Sequence, residues 1–370
     1  MLVREPPTVY QVSMLPSFPQ RPRELGHEQT VSVVITNRNY GRFLPVAVGS
    51  ALHQHGARVE VIVVDDGSTD GSRQILEGYG DHVLSLLLDG RGQKAAFNAG
   101  FAAACGDIVL FLDADDELRP ETAAAVIAAF DEHPGAARIV FRLEVIDAQG
   151  KPTGGCVPST GTQLPAGDVR RAVLAFPDDL AWPPTSGNAF ARWALQRVMP
   201  LPLDGERTGA DSFLHPLVPL LGPVVALEHV GGAYRLHGGN AHARGHLDVE
   251  RSRLILRRAH GAHARLDRLA RELGYGPARP RSVTIAAHRL ISLRLGGPGH
   301  PVMKDTRRRA LGAGLRASRG RFDVSRARRT AYSTWFLLAT TAPAPAARAL
   351  GEAFLQPMRP SALARRLSRS

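Results

Sequence analysis

From Val31 onward the chain alternates between short apolar runs and longer stretches with apolar residues at helical spacing. "VSVVIT" is a short β-branched run, the pattern of a buried parallel strand. "FLPVAVGSALHQ" then spaces its apolar residues as a helix does. "VEVIVVDD" predicts a second strand, and "STDGSRQILEGYG" a helix with Ser68, Thr69 or Asp70 near its start. "HVLSLLL" predicts a third strand and "QKAAFNAGFAAACG" a helix ended by Gly106. "DIVLFLDADD" predicts a fourth strand, and "RPETAAAVIAAFDEHP" a helix between Pro120 and Pro134. Four strand–helix alternations in succession imply an α/β fold whose central sheet is mostly parallel and flanked by helices.

Beyond Pro134 the rhythm loosens. "ARIVFRLEVID" predicts a strand, the stretch to Pro184 reads as loop, and "GPVVALEHVGGAYRLH" reads as strands. From His246 the chain is mainly helical and basic, with "VERSRLILRRAHGAHARLDRLARELG" strongly amphipathic. The pattern divides the chain into an extended Pro-rich arm (1–29), an α/β domain (30–245) and a basic helical region (246–370). No internal repeat interrupts this order.

Composition adds two facts. Hydrophobic residues make up 44% and charged residues 22%, which fits a globular chain rather than a disordered one. The net charge of +12 is unevenly spread. Residues 251–370 hold 26 Arg and Lys against 5 Asp and Glu, a balance of +21, while residues 1–250 hold 20 against 29, a balance of −9. The basic region therefore calls for an acidic partner of its own. No apolar run reaches the roughly 18 residues of a spanning helix, and "MLVREPPTVYQVSMLPSFPQRPREL" does not read as a signal peptide. Cys105 and Cys156 form neither a disulfide framework nor a metal-site spacing, so a cytoplasmic location is expected.

Candidate chemistry lies at two strand ends. One closes on Asp65 and Asp66, the other on "DADD", Asp113 to Asp116. In open α/β sheets ligands bind beyond the carboxyl ends of the strands. In extended chain Asp113 and Asp115 would point the same way. Carboxylates crowded so closely repel, and a divalent cation with oxygen ligands, Mg²⁺ or Mn²⁺, resolves the conflict. The other reading of "DADD" is a solvated loop whose acids favour the following helix start. Asp65 has a similar alternative, an Asx-turn with Gly67 and Ser68.

"VSVVITNRNYGRFLPVAVGSAL", "VEVIVVDDGSTDGS", "GQKAAFNAGFAAACGDIVLFLDADD" and "TSGNAFAR" together resemble, in order, motifs of the family 2 glycosyltransferases with the GT-A fold. The resemblance covers about residues 30–240. It implies an inverting transferase moving a sugar from a nucleoside-diphosphate sugar to a glycan or lipid-linked acceptor, in cell-surface polysaccharide or glycolipid synthesis. It implies that Thr36 and Asp66 contact the nucleotide, with Asn37 and Asp65 beside them. Arg91 and Lys94 fall in the segment facing the nucleotide. Asp113 and Asp115 match the Asp-x-Asp pair at the ribose and the diphosphate-bound metal. Asp211 of "GADSFL" matches the catalytic base, although Ala210 stands where the family more often has Glu. His237 of "YRLHGGN" matches a place where some members carry a third metal ligand or a phosphate contact. Asp211 and His237 keep structural alternatives, a helix cap and a turn histidine.

Two other functions compete. "GRGQKA", Gly90 to Ala95, fits Gly-x-Gly-x-x-Ala between a strand and a helix, the dinucleotide-binding pattern of an NAD-dependent oxidoreductase. Against it, a complete strand–helix–strand unit precedes the glycines, Arg91 and Lys94 crowd the turn, and the acids downstream form a cluster. The basic region suggests nucleic-acid binding, yet it has few aromatics and no nucleic-acid motif, so no nucleic acid is expected. Contact with anionic lipid at the inner face of the membrane is preferred, with "STWFLLATT" supplying apolar insertion.

Overall fold

β1 (Thr30–Asn37) and β2 (Arg58–Asp66) are the two β-branched runs; β1 is buried almost throughout and β2 from Val61 onward. The computed structural model describes residues 17–18, 29–203, 205–238, 248–297 and 299–355. The expected arm over 1–29 lies outside the described residues except at 17, 18 and 29, as does the expected boundary at 245. β3 (Leu84–Leu88) and β4 (Ile108–Asp113) complete a parallel set ordered β3-β2-β1-β4. α1 (Leu44–Leu52), α2 (Ser72–Glu77), α3 (Gln93–Ala103) and α4 (Thr122–Glu132) follow these strands in turn.

The second half of the sheet departs from the parallel expectation. β5 (Glu117–Leu118), β6 (Arg138–Ile146), β7 (Pro152–Val157), β8 (Asn188–Ala191) and β9 (Val224–Arg235) extend it in the order β8-β6-β9-β5, with β7 on β6. β8 runs antiparallel to both β4 and β6, β5 antiparallel to β9, and only β6 and β9 are parallel. The sheet is therefore mixed. "NAFA" of β8 is four buried residues long, too short to carry a periodicity. α6 (Arg192–Val198) and α7 (Asp211–Leu217) lie between β8 and β9.

Close packing of α3 on the sheet rests on Gly100. A Cβ there would stand 2.2 Å from Val34 Cγ1 and 3.2 Å from Val64 Cγ2, both on buried residues. Gly100→Ala is expected to cost about 1–3 kcal/mol, read as a lower denaturation midpoint.

The described chain divides into two compact units: one takes 29–167 and 181–238, the other 168–180 and 248–355. The second is helical: α5 (Arg170–Ala175), α8 (Val249–Glu272), α9 (Val283–Leu295), α10 (Arg307–Gly320), α11 (Arg326–Thr341) and α12 (Ala344–Leu355). Asp248, Ser282, Thr306 and Ser325 cap α8 to α11 with their side chains. Its core includes Leu290, Ile291, Trp335 and Phe336. Asp179, whose side chain is 1% exposed, accepts from the Val283 and Thr284 amides at 2.7 and 2.8 Å and pairs with Arg321 at 3.1 Å. No helix among the described residues is long and apolar enough to cross a membrane.

Asp178 lies 2.9 Å from His263 Nε2 in this unit. Burial pulls the imidazole pKa down, but the Asp178 charge and hydrogen bond outweigh it and the net shift is upward. A raised histidine stabilises below its unfolded pKa, and that stabilisation is lost as pH rises through the folded value. His263→Gln is expected to cost about 1–2 kcal/mol in acid, with the difference from the parent vanishing in alkali. Denaturant midpoints at about pH 6 and about pH 9 read it.

Candidate active site

Strand register gathers the acids at one edge. Asn37 stands opposite Asp65, Thr36 opposite Asp113, and Asp66 opposite Leu88. These are the carboxyl ends of parallel strands, where the connecting loops open a crevice.

Asp65 and Asp66 are both committed to the architecture of this edge. Asp65 accepts from Asn37 Nδ2 at 2.8 Å, the Ser68 amide at 3.0 Å and Arg73 Nε at 3.1 Å. Burial pushes its carboxyl up, but the Ser68, Arg73 and Asn37 hydrogen bonds together hold it below the usual carboxylate range. The Ser68 bond is a local turn contact like the one the alternative reading of Asp65 expects, but it closes on the amide three residues on, where an Asx-turn closes two on. Asp66 accepts from the Arg91 and Gly92 amides at 2.6 and 2.7 Å, with Arg38 Nη1 at 3.4 Å. It ties β2 to the Gly90–Gly92 turn.

That turn receives a second loop. Gly92 has φ +96°, and a Cβ on it would meet Arg207 Cβ at 2.5 Å and the Arg207 carbonyl at 2.7 Å. The Arg207 carbonyl accepts from the Lys94 amide at 3.2 Å, while its guanidinium donates to the carbonyls of Gly90 and Arg91. Gln93 Oε1 accepts from the Gly209 amide at 2.9 Å, and the Gln93 side chain also hydrogen-bonds Asp113. One amide side chain thereby links a strand-end carboxylate to the loop that delivers Asp211. Lys94 is buried, with its ammonium 5.2 Å from the Phe213 ring centre, whereas the Arg91 side chain is exposed.

β4 ends at Asp113, so Asp115 sits in the following turn rather than in extended chain. The two carboxylates are nonetheless neighbours. Burial, then Asp115, then Asp211 raise the Asp113 carboxyl to about 8, against hydrogen bonds from Gln93 and Thr36. Asp116 is raised well above normal by burial, Asp115 and Asp113. It accepts from Ser186 Oγ at 2.6 Å and the Arg235 amide at 3.0 Å, fastening the turn to β9 and to residues 185–187. Asp115 Oδ2 lies 2.9 Å from His237 Nε2. The His237 ring packs against Phe43 at 4.9 Å and edge-on to Tyr40 at 5.5 Å. Burial and the Asp115, Asp113 and Asp116 charges push the Tyr40 hydroxyl up to about 12.

Asp211 opens α7, and its Oδ1 accepts from the Ser212 amide at 2.8 Å. Together with Phe97, Phe111, Thr185, Asn188 and His215 it lines a small pocket. Behind it lies Arg138, fully buried, its guanidinium 4.2 Å from the Trp182 ring centre and its Nε 3.1 Å from Asn188 Oδ1. Burial and the Arg138 charge, opposed by Asp211, lower His215 to about 3, so its ring is neutral at pH 7.

The chemistry of the donors fits a divalent cation as an open site. Asp115 offers a carboxylate oxygen and His237 an imidazole nitrogen, a pair suited to Mn²⁺ or Mg²⁺ with further oxygens from substrate and water. No group of three His, Cys, Asp or Glu among the described residues is arranged to hold a metal alone. The crowding of half-buried Asp113 and buried Asp116 beside this pair is the condition a cation would relieve.

Thr36, Asn37, Asp65, Asp66, Arg91, Lys94, Asp113, Asp115, Asp211 and His237, the candidates in the sequence, all lie in the α/β unit. Gln93, Asp116, Ser186 and Arg138 were not singled out. Asp116 carried a signal as the last acid of "DADD"; a lone arginine opening a strand carries none.

Comparison with known proteins gives a consistent result. Residues 32–154 match the model of glycosyl transferase family 2. An uncharacterized glycosyltransferase, alr2836, of Nostoc sp. is 35% identical over 218 residues, 57% of this chain and 66% of the relative. The succinoglycan biosynthesis protein ExoO of Rhizobium meliloti is 37% identical over 123 residues, 33% of this chain and 35% of the relative. The chain thus spans just under two thirds of the first of these relatives and about a third of the second. Among solved structures, S. aureus TarS 1–349 in complex with UDP-GlcNAc superposes with a TM-score of 0.50 at 18% identity, covering 83% of this chain and 90% of that one. That likeness identifies the GT-A architecture.

Proposed function

We propose that the chain, whose residues 32–154 match the model of glycosyl transferase family 2, belongs to that family and transfers a sugar from a nucleoside-diphosphate sugar to an acceptor hydroxyl. The observation that carries this reading is the placement of Asp113 at the carboxyl end of β4, beside Asp115 in the following turn and within electrostatic reach of Asp211 at the start of α7. Transfer occurs by a single displacement that inverts the anomeric centre. Asp211 takes the proton from the incoming hydroxyl, for which a carboxylate within hydrogen-bond reach suffices. Its Ser212 contact and the Gln93 tether hold it toward the pocket.

Donor binding falls to the strand edge. Thr36, Asn37 and Asp65 shape the nucleotide pocket, and Asp66 meets the base with the acceptor capacity its three present donors leave. Arg91 and Lys94 supply positive charge toward the diphosphate, and Asp113 reaches the ribose. Mg²⁺ or Mn²⁺, held by Asp115 and His237, would stabilise the charge of the departing nucleoside diphosphate as a Lewis acid. The acceptor is a glycan or a lipid-linked glycan in cell-surface polysaccharide or glycolipid synthesis. The protein works in the cytoplasm, at the inner face of the membrane.

A panel of nucleotide-sugars, incubated with the protein and a lipid-linked or oligosaccharide acceptor, tests the assignment. Release of nucleoside diphosphate with an inverted product anomer by NMR is expected. Chelation should lower transfer by about 10²-fold or more, with Mn²⁺ or Mg²⁺ restoring it. Retention of anomeric configuration, or NAD binding without nucleotide-sugar binding, would overturn it.

A further inference from the structure

The basic helical unit gathers its exposed apolar side chains at one end. Met303 is 87% exposed and Val302 37%, in the loop between α9 and α10. Leu337 and Leu338 are 50% and 51% exposed in the last turns of α11. A pair of hydrogen bonds and the proximity of two charges bring these pairs to the same end. Arg294, in the last turn of α9, donates to the carbonyls of Ala339 and Ala342 where α11 stops. Arg307, the first residue of α10, is close enough for its charge to add to burial in lowering Arg294. Arg309 in turn donates to the Lys304 carbonyl. The apolar residues are therefore bordered by Lys304, Arg307, Arg308 and Arg309, all solvent-facing or partly so.

Several hydrogen bonds fasten the loop in this posture. Asp305, whose side chain is fully buried, accepts from Arg289 Nε and Nη2, each at 2.8 Å, and from the Thr306 amide at 2.9 Å, with His300 Nε2 at 3.2 Å. Lys304 adopts a left-handed φ of +56°, an uncommon state for a side-chain-bearing residue. Asp305 thus anchors the turn inward while Met303 projects outward. Nearby, the chain from Thr330 to Ala347 carries no charged residue, in a unit otherwise dense in arginine. A purely solvated face would not concentrate its uncharged exposed positions at the corner where α11 meets α12.

The geometry points to this end of the helical unit as a docking surface for a bilayer rich in anionic phospholipid. Met303, Leu337 and Leu338 enter the acyl boundary, and Lys304 with Arg307 to Arg309 pairs with headgroup phosphates. Apolar tips within a basic border match the layered chemistry of a membrane surface, anionic outside and hydrocarbon beneath. Single-stranded nucleic acid would instead ask for aromatic platforms along a basic groove. Of the aromatics in α11, Tyr332 and Trp335 are packed against Phe354. The inference deepens the proposal of a membrane-side acceptor. Because its test reads binding and no transfer, it can fail while that reading stands, and the converse.

The test is co-sedimentation of the full chain with vesicles of phosphatidylcholine alone, or with about a third phosphatidylglycerol. Binding is expected only to the anionic vesicles, weakening in high salt. The triple variant Met303→Ser, Leu337→Ser, Leu338→Ser should bind about tenfold more weakly. The pair Lys304→Glu, Arg308→Glu should abolish binding. Neither set touches a buried group, and unchanged thermal midpoints confirm intact folding. Equal binding by the parent and the triple variant would overturn the proposal, leaving only diffuse charge attraction. So would absence of vesicle binding alongside tight single-stranded RNA binding, or a concentration-dependent dimer that the triple variant abolishes.

Discussion

Asp211→Asn is expected to reduce the turnover number for sugar transfer by about 10³-fold while leaving donor affinity within about twofold. The substitution is isosteric. Asparagine Oδ1 still accepts from the Ser212 amide, and the Gln93 contact to the Gly209 amide uses backbone, so the loop should keep its place. What disappears is a proton acceptor within the pocket shared with Thr185, Asn188 and His215. His215 cannot substitute, because a ring lowered to about 3 by burial and the Arg138 charge is a poor base at neutral pH. Removing the Asp211 charge lifts one of the burdens on Asp113 but also takes away the charge that favours the buried Arg138 guanidinium, so the two effects on stability oppose one another. The measurement is steady-state transfer with calorimetric titration of nucleoside diphosphate. Transfer retained above about a tenth of the parent would remove Asp211 from the base role.

Much of this arrangement was written in local sequence. The first four strands were legible because each is dominated by a β-branched or aliphatic run, interrupted in β1 to β3 only by Ser32, Glu60 and Ser85. Acids at the ends of such runs stand out, since a desolvated charge there demands a partner. The partner itself is not local. Whether Asp65 and Asp66 face a ligand or their own loops depends on Asn37, Arg73 and the Arg91 and Gly92 amides, which lie 8 to 28 positions away. β8 was missed as a strand for the opposite reason: four residues offer no period, and its pairing with β4 spans some eighty positions. The segment around Asp178 and Asp179 read as loop because its contacts are with Ser282, Val283 and Thr284, more than a hundred residues on. Arg138 is the extreme case. Nothing around it in sequence distinguishes a fully buried guanidinium stacked on Trp182 from an ordinary surface arginine.

Asp115→Asn should separate stability from function at the same site. Asparagine Oδ1 can keep the contact with His237 Nε2, and the Arg235 Nε bond goes to the Asp115 carbonyl, so the turn should persist. The change deletes a negative charge that bears on both half-buried Asp113 and buried Asp116, each a poor site for ionisation. Without added metal, the variant should therefore be more stable than the parent by about 1 kcal/mol, because like charges held close in a buried turn destabilise the fold. Transfer should nevertheless fall by about 10²-fold, since a neutral amide is a weaker ligand for a divalent cation than a carboxylate. Linkage makes the two effects measurable in one experiment. A cation that binds only the folded protein raises its thermal midpoint in proportion to the logarithm of its concentration over the dissociation constant. Mn²⁺ should raise the midpoint of the parent and leave that of Asp115→Asn nearly unmoved, so that the two curves approach or cross as metal is added. A variant that is still stabilised by Mn²⁺ as strongly as the parent would mean that the cation is held elsewhere, and that the crowding of Asp113, Asp115 and Asp116 has another purpose.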